Sequence, residues 1–241
     1  MSRTPSPPLR PLPEALARTE PQGLKPGLPV AQFELGPYKN FVYLVIDWSR
    51  HGALVIDPAR ELDPLLTQLQ EARLSLQGII LTHSHHDHIS GVPRLLELHP
   101  DLPIHMHPLD AHRLPDELRT RIIPAHDHAR IPIAPNGDLA LQVIHAPGHS
   151  AGELCFQLQT PDECYLFTGD TLFIRDCGRT DLPTGDDTQM YATLQRLKQL
   201  SPDLIVLPGH HYTPECASRL GTELQISPPL LAGSVEELAR L

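Results

Sequence analysis

No stretch of this sequence approaches the roughly 18 to 20 consecutive apolar residues that a bilayer-spanning helix requires. Its first residues also lack the apolar run of a secretory signal. Both absences predict a soluble, cytoplasmic protein with no membrane partner. Cysteine is scarce: Cys155, Cys164, Cys177 and Cys216 form no Cys-x-x-Cys pair and no dense framework. That argues against a disulfide-stapled fold and a structural zinc knuckle, and reads as reduced thiols. Positive charge is in deficit too, with 19 Lys and Arg against 29 Asp and Glu and a net charge of -10. A broad nucleic-acid footprint needs the opposite balance, so no nucleic-acid partner is expected.

At 241 residues the chain is long enough to bury a sizeable core. Residues 1–30 are rich in proline (Pro5, Pro7, Pro8, Pro11, Pro13, Pro21, Pro26, Pro29) and read as a loosely ordered segment. The alternative is a short arm docked on the domain with Leu16 as its anchor. Residues 31–241 read as one catalytic domain with a very short helical tail.

Apolar patterning predicts strands at 41–46 and 53–57, joined by a turn at Arg50-His51-Gly52. Leu65, Leu66 and Leu69 fall at helical spacing within 62–72, and a buried strand follows at 78–81. A helix at 91–98, strands at 104–107, 139–145, 153–159, 164–168 and 204–207, and helices at 190–200 and 235–241 complete the reading. Between about 107 and 135 the chain is proline-broken and rich in histidine. The simplest assembly is α/β: an αββα four-layer sandwich of two mixed β-sheets flanked by helices.

The most informative run is Thr82-His83-Ser84-His85-His86-Asp87-His88, directly behind the strand at 78–81. Carboxyl ends of strands are where sites gather in open α/β sheets. Later strand ends carry the same residue types: His149 in Ala146-Pro147-Gly148-His149, Asp170 in Thr168-Gly169-Asp170, and His210 in Leu207-Pro208-Gly209-His210. Imidazole and carboxylate suit zinc, iron or manganese, and two ions sharing a bridging carboxylate need about seven protein ligands. His105 with His107, and His126 with His128, read as surface or supporting residues, and His86 as pointing away from the cluster.

The order HxHxDH, PGH, GD, GH resembles the metallo-β-lactamase fold superfamily over about residues 31–225. Within it, Gly169-Asp170-Thr171-Leu172-Phe173, Cys177-Gly178-Arg179-Thr180-Asp181 and Gly209-His210-His211-Tyr212-Thr213 are similar to the glyoxalase II-like branch, the hydroxyacylglutathione hydrolases and their relatives. β-Lactamases proper usually lack this aspartate-rich pattern. The resemblance implies that His83, His85 and His149 hold one divalent ion, Asp87, His88 and His210 a second, and that Asp170 bridges them. The ions it implies are zinc first, with iron or manganese as alternatives. Two such ions lower the pKa of a shared water toward neutrality, giving a hydroxide that attacks a thioester carbonyl, with Asp87 orienting it.

The same resemblance makes Arg179, Tyr212 and Cys177 the candidate substrate contacts, for a small thioester of glutathione type. The match is partial. Thr180-Asp181 stands where that branch carries an aromatic, and residues 211–241 offer a single predicted helix in place of a helical domain. A salt bridge between Arg179 and Asp181 is the structural alternative. A second family resemblance, to persulfide dioxygenases, rests on the Cys-Gly-Arg-Thr-Asp run and implies one iron on His83, His149 and Asp170. A different thioesterase, a lactonase, and a non-catalytic binding module complete the alternatives.

Overall fold

The computed structural model describes residues 10–14 and 16–241. Among the described residues, twelve strands form two six-stranded mixed sheets. The first runs in chain order: β1 (Val30–Leu35), β2 (Asn40–Asp47), β3 (Gly52–Ile56), β4 (Ser75–Ile80), β5 (Ile104–Met106) and β6 (Ile122–Pro124). Its β1, β2 and β3 are antiparallel, whereas β3 through β6 run parallel. The second has the order β12-β11-β10-β9-β8-β7, built from β7 (Arg130–Pro132), β8 (Ala140–His145), β9 (Leu154–Gln159), β10 (Cys164–Gly169), β11 (Ile205–Pro208) and β12 (Ser218–Arg219). Only β10 and β11 are parallel there.

Strand period explains the layering. On β2, Phe41, Tyr43 and Val45 face the second sheet, where they meet Val143, Phe156, Phe167 and Leu207. Their neighbours Val42, Leu44 and Ile46 face the other way, towards Leu65 and Leu69 of α1 (Asp63–Glu71) and Val92 and Leu95 of α3 (Val92–Leu98). The outer face of the second sheet, with Ile144, Cys155, Leu166 and Val206, is covered by Met190, Leu194 and Leu197 of α5 (Asp187–Leu197). Three apolar layers between four structural layers make the αββα sandwich that the sequence predicts. β2 is apolar on both faces because it is buried on both.

Several elements depart from the sequence reading. The motif does not wait until Ile89 to turn helical: α2 spans His86–Ile89, so Asp87 and His88 sit on its first turn. α4 (Asp116–Arg119), β6 and β7 lie in the proline-broken stretch, where strands of three residues are too short to show a period. The tail holds three helices, α6 (Leu220–Ile226), α7 (Pro228–Leu231) and α8 (Val235–Leu238), rather than one. Of the Pro-rich segment, residues 1–9 and Ala15 lie outside the described residues. Leu16 is buried in the core between the sheets, and the Arg18 carbonyl accepts from the Cys216 amide. Among the described residues no helix is long and apolar enough to cross a membrane.

Candidate metal centre

The parallel strand pairs set the site. β3 with β4, and β10 with β11, deliver their carboxyl ends to one edge of the sandwich. Thr82–His88 leaves β4 there, Asp170 follows β10, His210 follows β11, and His149 arrives on the loop between β8 and β9. Glycine permits the closest approaches. A side chain at Gly209 would collide with Asp170 Oδ1, and Gly169, at φ 47°, turns the chain sharply between β10 and Asp170.

All seven residues picked from the sequence meet at this edge, in two triads. The ligand-type atoms of His83, His85 and His149 lie within 4.8 Å of one another, as do those of Asp87, His88 and His210. Asp170 stands between them, with Oδ2 3.5 Å from His149 Nε2 and 3.3 Å from His210 Nε2, and Oδ1 3.4 Å from His88 Nε2. Two nitrogens held about 2.1 Å from one ion lie roughly 3.0 to 3.4 Å apart for angles between square and tetrahedral. His88 Nε2 and His210 Nε2 fall in that range at 3.2 Å, while His149 Nε2 and His85 Nδ1, at 2.8 Å, lie slightly closer than it. His83 Nε2 and Asp170 Oδ1 are buried with no hydrogen-bond partner. Buried polar atoms are almost always satisfied, so these donors fit two cations.

The outer ring nitrogens explain why the inner ones face inward. His88 Nδ1 meets Asp57 Oδ2 at 3.0 Å, His149 Nδ1 meets the Arg179 carbonyl at 2.7 Å, and His210 Nδ1 meets the Tyr38 carbonyl at 2.9 Å. Each bond fixes ring orientation and tautomer. Asp57 also accepts from the Thr82 amide and hydroxyl at 2.8 and 2.6 Å. Asn40 Nδ2 donates to Asp87 Oδ2 at 2.8 Å. Behind His83 lies the fully buried Glu153, 3.5 Å from its Nδ1 and accepting from the Asp170 amide at 3.0 Å. Sequence reasoning gave no role to Asp57, Asn40 or Glu153. Asp57 alone carried a signal, as a carboxylate at a strand's carboxyl end.

Electrostatics divide the triads. Burial, reinforced by His88, holds His83 well below the ordinary imidazole range. Burial and His149 bring His85 down to about 4. For His88 burial acts the same way, but Asp170 and Asp57 outweigh it and raise the ring well above its ordinary value. Burial would raise Asp170, yet His88 and His210 hold its carboxyl well below the usual range.

The candidate substrate contacts lie at the rim. Arg179 forms a bidentate pair with Asp181, at 2.5 and 2.6 Å, with both side chains exposed. The Cys177 thiol is half-buried and pushed up to about 12 by burial, with Asp176 and Asp187 adding to it. Tyr212 is 57% exposed and stacks on His210, ring centroids 4.7 Å apart and planes 8° from parallel. His86 is exposed. His107 stacks on His145 at 4.3 Å, with His126 at 5.4 Å. Among the described residues, the three groupings of metal-ligand side chains all fall within the central cluster, the third being Asp57 with His83 and His88.

Comparison with known proteins agrees. The Metallo-beta-lactamase superfamily matches residues 35–210. A hydroxyacylglutathione hydrolase of Tolumonas auensis is 37% identical over 72% of this chain and 62% of its own length. The chain thus spans under two thirds of that relative. A probable polyketide biosynthesis zinc-dependent hydrolase, BaeB, of Bacillus velezensis is 31% identical over 73% of this chain and 74% of its own. The solved structure of ETHE1 from Myxococcus xanthus superposes with a TM-score of 0.76 at 27% identity, covering 88% of each chain.

Proposed function

This chain belongs to the metallo-beta-lactamase superfamily, and from that premise we propose that it is a cytoplasmic metal-dependent hydrolase of small acyl-thioesters, of the glutathione type. The observation that carries the reading is the pair of triads joined by Asp170. The name of the hydroxyacylglutathione hydrolase relative supports the substrate class. Zinc is the first choice of metal, supported by the donor set and by the zinc-dependent hydrolase relative; iron or manganese suits the same donors. His83, His85 and His149 would hold one ion, Asp87, His88 and His210 the other, and Asp170, between the triads, would serve both. Two such ions, when bound, would supply a Lewis acid for the carbonyl and a water acidified toward neutrality.

The protein's own residues do the rest. Asp87, steadied by Asn40, orients the attacking oxygen. Asp57 and the Tyr38 carbonyl keep His88 and His210 from turning away. Tyr212, stacked on His210 with an exposed ring, meets the substrate at the rim, alongside Cys177. Arg179 reaches a substrate carboxylate only by leaving Asp181. Residues 31–241 act as one catalytic unit.

A second reading, a mononuclear-iron persulfide dioxygenase, is favoured by the Cys177-Gly178-Arg179-Thr180-Asp181 run and by the approach of His83, His149 and Asp170. Purified protein decides between the two. The hydrolase carries close to two ions per chain and cleaves a glutathione thioester to acid and thiol without consuming oxygen. One iron per chain, with oxygen uptake on glutathione persulfide, overturns it.

A further inference from the structure

Three arginines lie near the cluster: Arg113, which acts on His85 of the first triad, and Arg179 and Arg60, whose surroundings differ. Arg179, on the wall after β10, is neutralised within its own loop by Asp181. Arg60, on the opposite wall, is exposed and makes no ion pair among the described residues. It lines a cavity of about 190 Å³ together with Tyr38, Asn40, His86, Asp87 and Ser90. Asp87 belongs to the second triad, so the cavity opens directly beside the proposed reaction centre.

The wall is firmly held. Arg60 sits in the loop between β3 and α1, flanked by Asp57 at φ 51° and Glu61 at φ 72°, conformations that ordinary residues keep only when their surroundings impose them. The start of α3 presses on this loop: Gly91 donates to the Pro58 carbonyl at 2.8 Å, and a side chain there would lie 2.7 Å from that oxygen. Across the cavity, the Tyr38 carbonyl is fixed by His210. Asp87 lends little repulsion to an entering anion, because its Oδ2 already faces Asn40, His88 and His210.

Size and charge define the occupant. The cavity, about 190 Å³ and open to solvent on one side, takes a small polar head group at its floor while the rest of a ligand extends outwards. An unpaired guanidinium beside hydroxyl and amide groups is a carboxylate receptor, since its planar fork matches both oxygens. We infer that the cavity walled by Arg60 and Tyr38 receives a free carboxylate on the substrate, a few atoms from the bond that is cleaved. This role rests on the thioesterase reading and makes Arg60 a determinant of specificity.

The test compares metal-loaded wild type with Arg60→Gln on matched thioesters. One pair carries a carboxylate or its amide on the thiol half (S-acetyl-3-mercaptopropionate and S-acetyl-3-mercaptopropionamide). The other carries it on the acyl half (succinyl or succinamoyl thioesters of a neutral thiol). Wild type prefers one carboxylate form by about tenfold or more in kcat/KM, the scale of one charge-assisted contact. Arg60→Gln erases that preference through KM, leaving kcat and both amides unchanged, and the pair affected shows which half enters the cavity. Equal rates on acid and amide in wild type, or equal losses on both in the variant, overturn the inference. Calorimetric binding of the matching S-propyl thioethers separates this from the reaction. If no thioester is cleaved while the thioether acid binds in an Arg60-dependent way, the hydrolase reading fails and the carboxylate pocket stands. Binding that ignores Arg60 sinks the pocket.

Discussion

The two triads face each other across one carboxylate and yet are prepared for metal in opposite ways. His83, His85 and His149 form an all-imidazole set in which burial favours the neutral, ligating ring on His83 and His85. Asp87, His88 and His210 include a carboxylate, and Asp170 and Asp57 raise the His88 ring well above the ordinary imidazole range. An ion entering the first set meets two rings, His83 and His85, that burial keeps from protonating. An ion entering the second must displace a proton from His88. The difference teaches that the two positions are not equivalent, despite sharing Asp170.

The harshest way to break the comparison is to remove what the triads share. Asp170→Ala should empty both positions together and drop turnover to background, read by elemental analysis of the purified variant; full metal content would refute the bridging role. Lowering pH should sharpen the contrast. Raised in the folded protein, His88 is increasingly protonated as pH falls, while His85 resists protonation until about 4. Metal content should therefore step from two ions to one as pH falls towards 4, with the second triad emptying first. Simultaneous loss would erase the distinction.

Asp57→Asn perturbs the outer bond of His88 directly and touches the first triad only through Thr82, whose hydroxyl lies 2.9 Å from His83 Nδ1. It should weaken the second ion about 10- to 100-fold, the range for such supporting carboxylates, and the first far less. Chelator competition measures both constants, and equal weakening would mean that Asp57 acts on the fold. The mildest change is Tyr212→Phe, which keeps the ring stacked on His210 and deletes only the hydroxyl. A rise in KM of a fewfold with kcat unchanged marks direct contact; an unchanged KM removes it.

Legibility in the sequence followed locality. His83, His85, Asp87 and His88 come from one loop, so their spacing announced them. His149, Asp170 and His210 come from three separate strand ends, each unremarkable alone, and only their order behind the first cluster gave them away. Asn40 escaped because it begins an apolar strand, and Glu153 because a glutamate opening the strand predicted at 153–159 carries no sign of facing inward. Arg179 was legible as a cation at the rim, but whether it is free depends on Asp181 two residues on, a matter of rotamer and loop path.

The chain by itself determined the two-sheet layering, through apolar periods on β2, β8, β9 and β10, and the donor set of the metal centre, through residue type and order. Tertiary structure decided what spacing cannot encode. It chose which ring nitrogen faces inward, because that depends on the carbonyl of Tyr38 or Arg179 arriving from elsewhere. It pushed His83 down and His88 up from the ordinary imidazole range, because burial dominates at the first and the carboxylates of Asp170 and Asp57 outweigh it at the second. It also left Arg60 unpaired beside Asp87 while Arg179 was neutralised, because pairing is settled by distance in space and not along the chain.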